Sequence, residues 1–352
     1  MVKNNKKPRL RFKGFTDEWE QRKLGDIGKT YTGLSGKNKE DFGHGIAQYI
    51  TYMNIFSNPI ANVDGVENIE IDYKQNKVNY GDVFFTTSSE TPEEVGISSV
   101  WFENTQNTYL NSFCFGYRLN DYNAYNLKFL AYLFRGSQFR KNMILLAQGI
   151  SRYNISKNKV MDINIKIPKQ KIEQTKIGEF FYNLDNLITL HQRKYDKLLN
   201  VKKALLDKMF SKNQEKTPKI RFKGFFDAWE QRKLGEIGDF KSNGVDKLSK
   251  PNEINVNLLN YMDVYNRRKI TNKSASLLMQ VTARPNQIKE NNVLKGDVFF
   301  TPTSETADDI GHVMVIEENI KNTVYSYHLM RYRPHKNNFY LTFPNYCLDT
   351  YF

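Results

Sequence analysis

Over residues 169–212 (KQKIEQTKIGEFFYNLDNLITLHQRKYDKLLNVKKALLDKMFSK) a seam recurs at alternating steps of four and three. Its positions are Ile177, Phe181, Leu184, Ile188, His191, Tyr195, Leu198, Lys202, Leu205 and Met209. Eight of these ten are apolar, and the alternation lasts for more than four heptads, which predicts one long amphipathic helix able to enter a coiled coil. Pro168 precedes the run, the next proline is Pro218, and only Gly178 weakens it. At a rise of 1.5 Å per residue, about forty residues make a rod roughly 60 Å long. An apolar stripe on one side of such a rod calls for a partner helix. His191 and Lys202 interrupt the stripe, and both are expected to fix register or to snorkel at its edge.

The rod separates two versions of one pattern. Residues 8–28 read PRLRFKGFTDEWEQRKLGDIG and residues 218–238 read PKIRFKGFFDAWEQRKLGEIG, identical at sixteen of twenty-one positions. GDVFFT at 81–86 returns at 296–301, and SET at 89–91 returns at 304–306. The period is domain-sized, so the chain is a tandem duplication and not a solenoid. The stretches 33–80 and 244–295 share little sequence. A common frame with different inserts predicts two related domains that contact different things.

Within the first copy, residues 1–7 read as a loose basic tail. Phe12, Phe15, Trp19, Leu24 and Ile27 supply apolar anchors, and Asp17 and Glu20 are spaced like a helix N-cap and its N3 partner. Residues 33–58 read as loops between short strands. A strand is predicted at 83–86 behind the Gly81-Asp82 turn, a polar loop at 86–92, and further strands at 96–102 and 111–119. Helices are predicted at 126–135 and 137–148, separated by Gly136 and stopped by Gly149. Ile163, Ile165 and Ile167 alternate as a strand with one buried face, ended by Pro168. The expected fold class is α+β: two tandem mixed α/β domains, residues 1–168 and 218–352, joined by the rod over 169–212 and a linker at 213–217. In the second copy Tyr332-Arg333 answers Tyr117-Arg118, and residues 346–352 fall where the first copy has its helix at 129–134. Counterparts of the Ile163 strand and of the rod are expected to be missing, leaving the second copy about 75 to 80 residues short by the repeat arithmetic.

Composition narrows the function. The 352 residues suffice for two cores. A net charge of +14 points to a polyanionic partner. Tyrosines in basic, Asn-rich loops suit stacking and hydrogen bonding to such a partner, while most phenylalanines belong in the core. Cys114 and Cys347 do not correspond in the repeat, which argues against a disulfide framework or a zinc site. No apolar run approaches a membrane span and the basic start has no apolar region behind it, so a soluble, cytoplasmic protein away from membranes is expected.

The chain carries no signature of independent catalysis. Gly33-Leu34-Ser35-Gly36-Lys37 is too short for a phosphate-binding loop, Gly43-His44-Gly45 lacks a strand–glycine–helix setting, and no Asn/Asp-Pro-Pro-Tyr run is present. His44, His191, His312, His328 and His335 are scattered without zinc-ligand spacing. Asp82/Asp297 and Glu90/Glu305 recur in both copies. Asp82 reads as a turn former. Glu90 reads as loop structure, with acceptance of a hydrogen bond from cytosine N4 as its functional alternative.

The duplicated 8–28 frame, the paired GDVFFT strands, and ISRYNIS at 150–156 ahead of the Ile163 strand and the rod together resemble the DNA specificity subunit of type I restriction–modification systems. The resemblance covers nearly the whole chain. It implies two target recognition domains, each reading half of a split sequence on double-stranded DNA, with spacer helices paired antiparallel. It also implies docking to methyltransferase subunits that carry S-adenosylmethionine and to a motor–nuclease subunit that uses ATP and Mg. The chain itself would bind no cofactor and catalyse nothing. The second spacer helix of the family pattern has no counterpart in this sequence: either the chain is truncated, or a second copy of the chain or a separate fragment is expected to cover the seam.

The expected DNA contacts in the first copy are Tyr31, Ser35, Lys37, Lys39, Tyr52, Asn54, Thr87, Ser88, Arg152 and Tyr153. In the second copy they are Asn243, Lys247, Tyr261, Tyr265, Arg267, Arg268, Arg284, Thr303 and Ser304. Lys and Arg would grip phosphates while the polar and aromatic side chains meet base edges. A stand-alone methyltransferase or nuclease is disfavoured by the missing motifs. A coiled-coil scaffold with no DNA role leaves the divergent basic inserts unexplained.

Overall fold

The computed structural model describes residues 7–211, 215–306, 310–335 and 340–348. The tail at 1–6, linker positions 213–214 and the last residues 349–352 lie outside the described residues. The chain divides into two units, Met1–Arg193 and Lys194–Phe352.

In the first unit the elements run β1 (Glu20–Lys23), α1 (Leu24–Ile27), β2 (Gly28–Thr32), β3 (Phe42–Ile50), α2 (Tyr52–Ser57), β4 (Val66–Ile69), β5 (Val83–Thr86), β6 (Ser88–Ser89), β7 (Ser98–Val100), β8 (Thr108–Leu110), β9 (Cys114–Leu119), α3 (Leu127–Leu133), α4 (Ser137–Leu146), β10 (Tyr153–Asn154), α5 (Lys157–Val160), β11 (Asn164–Ile167) and α6 (Lys171–Met209). One sheet has the order β2-β9-β5-β7 and a second the order β4-β3-β8. The GDVFFT strand, β5, is buried along its whole length and lies between β9 and β7. Its Phe85 packs into the core with Phe115, Phe134 and Phe139, beside Leu130 and Met143 of the two helices.

The second unit continues with α7 (Leu234–Ile237), β12 (Gly238–Lys241), β13 (Ile254–Leu259), α8 (Tyr261–Tyr265), β14 (Met279–Ala283), α9 (Pro285–Glu290), β15 (Val298–Phe300), β16 (Val313–Val315), β17 (Thr323–Tyr325), β18 (Met330–Pro334) and α10 (Pro344–Cys347). Its sheets have the orders β12-β18-β15-β16 and β14-β13-β17. They repeat the first unit strand for strand, including the parallel pairing of β3 with β8 and of β13 with β17. The inserts that share little sequence therefore share a fold. Alternating apolar positions satisfy the inner face of such a sheet with many side-chain combinations, so topology survives where identity does not.

Three local expectations are corrected. The stretch at 33–58 is not loops between short strands, because β3 is nine residues long and leads into α2. Thr51 caps that helix by accepting from the Asn54 N–H at 3.2 Å. Asp17 and Glu20 do not begin a helix. Residues 20–23 form β1, antiparallel to β11, and the Asp17 carboxylate accepts from Gln170 Nε2 at 3.0 Å. The Ile165/Ile167 strand needs a hydrogen-bonding neighbour, and that tertiary demand overrides the local capping signal. The polar loop at 86–92 contains β6, which pairs with β10.

The rod forms as one helix of 39 residues, about 58 Å at the standard rise. Its start is built into the first unit. Glu173 and Gln174 are buried, Ile177 packs on the main core, and Gln174 Oε1 accepts from the Asn126 N–H at 2.9 Å. Gly178 is required there, since a Cβ would lie 2.6 Å from the Phe129 nitrogen and 2.7 Å from Asn126 Oδ1. Gly178→Ala is expected to destabilise the first unit by about 1–3 kcal/mol, the usual range for overpacking. Urea titration followed by circular dichroism checks this, and a variant as stable as the parent would contradict the close packing.

Candidate nucleic-acid interface

Each unit has a short helix after the central strand of its three-stranded sheet, and each such helix carries two stacked aromatic rings one turn apart. In α2 the rings of Tyr52 and Phe56 lie 6.0 Å apart at 17°, and in α8 those of Tyr261 and Tyr265 lie 5.9 Å apart at 19°. Residues four apart share a helix face, which is why the pair can stack. Tyr52 is anchored by donating from its hydroxyl to the Ser88 carbonyl at 3.0 Å, and burial raises its pKa.

In the first unit these rings open onto a cleft of about 300 Å³, lined by Tyr52, Met53, Phe56, Ser88, Ser89, Glu90, Glu94, Phe113 and Arg152. Arg152 is exposed, with its guanidinium 5.5 Å from the ring centre of the exposed Phe113. Ser89 donates to Glu94 at 2.8 Å. The result is a cation, aromatic faces and carboxylate acceptors around one concavity, a set able to meet a guanine edge, a base face and an exocyclic amine.

The sequence-predicted contacts divide sharply. Tyr52, Ser88 and Arg152 converge on the cleft, and Tyr153 and Thr87 flank it: Tyr153 pairs with Ser89, and the Thr87 carbonyl accepts from the Ile155 N–H at 3.0 Å. Ser88 is nevertheless 6% exposed, so its side chain presents little surface. Asn54 is corrected outright. It is buried, and its amide binds the carbonyls of Asn62 and Gly65 and the Asn62 N–H, holding the turn behind α2.

Tyr31 is likewise structural. Its hydroxyl donates to Asp82 at 2.7 Å, Arg118 lies 5.0 Å from its ring centre, and burial raises its pKa well above the usual phenol range. Lys37 is half-buried against Asp72 at 2.9 Å, and that bond is the first cause of the Asp72 pKa falling to about 2. Ser35 and Lys39 are exposed away from these pairings, Ser35 sharing backbone bonds with Gln75.

In the second unit Asn243, Arg267, Arg268, Arg284 and Thr303 are exposed, and Lys247, Tyr261, Tyr265 and Ser304 are half-buried. Arg268 is held by Asp263 at 3.1 Å while its side chain stays 62% exposed, which leaves its charge available to solvent. Tyr265 lies 4.5 Å from the His312 ring.

Sequence reasoning missed Met53, Phe56, Phe113 and Glu94. The four-residue spacing of Tyr52/Phe56, repeated in Tyr261/Tyr265, was the available signal for Phe56; nothing in the sequence marks Phe113. It also took Asp82 for a turn former alone. The turn is present, with the Asn79 N–H donating to Asp82 Oδ2 at 2.8 Å, but the carboxylate also receives Arg118 at 2.7 and 2.8 Å. Asp297 repeats the arrangement with the Leu294 N–H at 2.8 Å and Arg333 at 2.5 and 2.7 Å. Glu90 is exposed at the cleft. Among the described residues no three His, Cys, Asp or Glu side chains converge on a metal-sized site, and no helix is long and apolar enough to cross a membrane.

Residues 16–200, more than half of the chain, match the family described as the type I restriction modification DNA specificity domain. The chain belongs to this family. It is a non-catalytic, DNA-targeting specificity subunit built from two tandem mixed α/β domains and a long helix. Among solved structures it is similar to the type I restriction–modification S subunit from M. genitalium, at 16% identity and a TM-score of 0.48, over 97% of this chain and 79% of that one. It is also similar to the HsdS subunit from Thermoanaerobacter tengcongensis, at 14% identity and a TM-score of 0.44, over 94% and 79% of the two chains. A third likeness is to a chain from a structural study of complex assembly and conformational transition in the type I R-M system, at 14% identity and a TM-score of 0.49, over 94% and 77%. A search of curated proteins returns no match. Within this specificity subunit, the family match spans the first unit and runs into α6.

Proposed function

We propose that this specificity subunit reads a two-part sequence on double-stranded DNA, one part with each unit. It then presents that sequence to methyltransferase subunits carrying S-adenosylmethionine and to a motor–nuclease subunit using ATP and Mg. The observation that carries the reading is the pair of stacked aromatic shelves at equivalent places in two units whose surrounding side chains differ. A shared scaffold with unlike contact residues is what reading two unlike half-sites requires. The +14 net charge supplies the sequence-independent attraction to phosphate. The contacts proposed are Ser35, Lys39, Tyr52, Thr87, Arg152 and Tyr153 in the first unit. In the second they are Asn243, Lys247, Tyr261, Tyr265, Arg267, Arg268, Arg284, Thr303 and Ser304.

The same proposal extends to α6. Phe181, Leu184, Ile188, Tyr195, Leu198 and Leu205 are all exposed, as are Leu187, Leu190 and Val201 beside them, while Met209 is half-buried. A contiguous apolar stripe of this kind marks an interaction surface. It would receive a second helix, either α6 of another copy laid antiparallel about a two-fold axis or a helix of a separate polypeptide.

Replacing Arg267 and Arg268 together by alanine is expected to weaken DNA binding and to reduce the slope of log affinity against log salt by about two, since each arginine that neutralises a phosphate accounts for about one. Fluorescence anisotropy at graded salt measures it. An affinity of the parent chain that does not change between low and physiological salt would contradict the basic-surface reading.

A further inference from the structure

The cleft of the first unit holds one guanidinium and two carboxylates, and their surroundings give each a different part. Arg152 is carried by a turn whose two ends are locked together, since Gln148 and Asn154 exchange backbone hydrogen bonds at 2.8 and 2.9 Å. A Cβ on Gly149 would lie 2.0 Å from the Arg152 carbonyl oxygen, so the turn packs closely on the residue it presents. The guanidinium stands 5.5 Å from the centre of the Phe113 ring, a cation–π contact that steadies it. Of the carboxylates, Glu94 is half-buried and accepts from the Ser89 hydroxyl at 2.8 Å, while Glu90 is exposed at the rim. Among the described residues neither Arg152 nor Glu90 takes part in an ion pair.

This balance of charge decides what the cleft takes. A phosphate seated against Arg152 would also face Glu90 and Glu94, and like charges repel. A base edge carries no net charge and offers hydrogen-bond partners to both kinds of group. In the major groove guanine presents two acceptors, O6 and N7, which suit a guanidinium. Cytosine presents only the N4 amine, which suits a carboxylate. Adenine fits neither well, because its amine opposes the guanidinium and its N7 opposes the carboxylate. Thymine presents an acceptor and a methyl group and gives Glu90 no donor.

We propose that the first unit reads a G·C pair in its half-site, with Arg152 on guanine O6 and N7 and Glu90 on cytosine N4 of the same pair. The proposal rests on the reading that this unit binds one part of a two-part site on double-stranded DNA. It names the base pair and adds Glu90 as a residue that selects it.

Methylome sequencing of a host that carries this chain with methyltransferase subunits tests the proposal through three variants. Arg152→Ala and Glu90→Ala should each lower discrimination about tenfold at one and the same G·C pair, with the other half-site left as it was. Glu90→Gln should admit adenine where the parent takes cytosine, because an amide offers an acceptor to adenine N6 and a donor to N7. A purely structural Glu90 would lower methylation without changing the base. A relaxed pair that is A·T, variants that relax different pairs, or a target unchanged in Glu90→Ala overturns the proposal. Two-part methylation that persists in those cases leaves the reading of DNA by this chain intact. If Glu90→Ala abolishes methylation, Glu90→Gln decides: adenine admitted upholds the G·C pair, and cytosine alone or no methylation overturns it. Methylation that does not depend on this chain overturns the proposal and the reading beneath it together.

Discussion

Asp82→Ala is expected to destabilise the first unit by about 3 kcal/mol, at the lower end of the range for removing one member of a buried ion pair. The carboxylate is 1% exposed and ties three segments together: Tyr31 on β2, Arg118 on β9 and the turn that leads into β5. Its loss leaves the Tyr31 hydroxyl without its acceptor and the Asn79 N–H without its cap. Arg118 keeps the Lys77 carbonyl at 2.8 Å and its side chain is 41% exposed, so solvent offsets part of the penalty and the lower end applies. Asp82→Asn retains acceptors for Tyr31 and Asn79 and should lose less. Asp297→Ala should act alike in the second unit, where the carboxylate is fully buried against Arg333. Urea unfolding followed by tryptophan fluorescence reads the effect through the buried Trp101 of the first unit. A loss below about 1 kcal/mol would mean that the network is replaceable by water.

Much of the architecture was legible because it repeats. The helix at 171–209, β5 and its counterpart β15, and the α3–α4 pair follow directly from heptad spacing, GDVFFT and Gly136. Identity could not show that residues 42–69 and 254–283 share a fold, since the common quantity there is a burial pattern and not a residue set. Charge was legible in sum but not in place: Lys37, Tyr31 and Asn54 have side chains suited to DNA, yet each is held by an internal partner that lies far off in sequence or behind a turn. Lys37 meets Asp72, Tyr31 meets Asp82, and Asn54 meets Asn62 and Gly65. The aromatic shelf was half legible, because Tyr52 and Tyr261 were singled out while the fourth-residue partner Phe56 was passed over. Gly178 looked like a weak point in a helix, whereas it is the place where the helix comes closest to its domain. Only the packed structure distinguishes those meanings.

The second large effect concerns sequence reading itself. Arg152 stands on the exposed rim of the first unit's cleft, beside the Tyr52 shelf. A base-edge contact from such a side chain supplies about 1–3 kcal/mol of discrimination, roughly 5- to 150-fold between the right and wrong base pair. Arg152→Ala should therefore relax the target at one position in the half-site of the first unit. The half-site of the second unit should stay as it was, since the contacts proposed for it are separate ones. The direct measurement is methylome sequencing of a host that carries this chain together with methyltransferase subunits. The account predicts methylation confined to one two-part sequence, with Arg152→Ala loosening one part only. Methylation that is absent, sequence-independent, or unchanged when this chain is left out would contradict the claim that the chain sets DNA specificity.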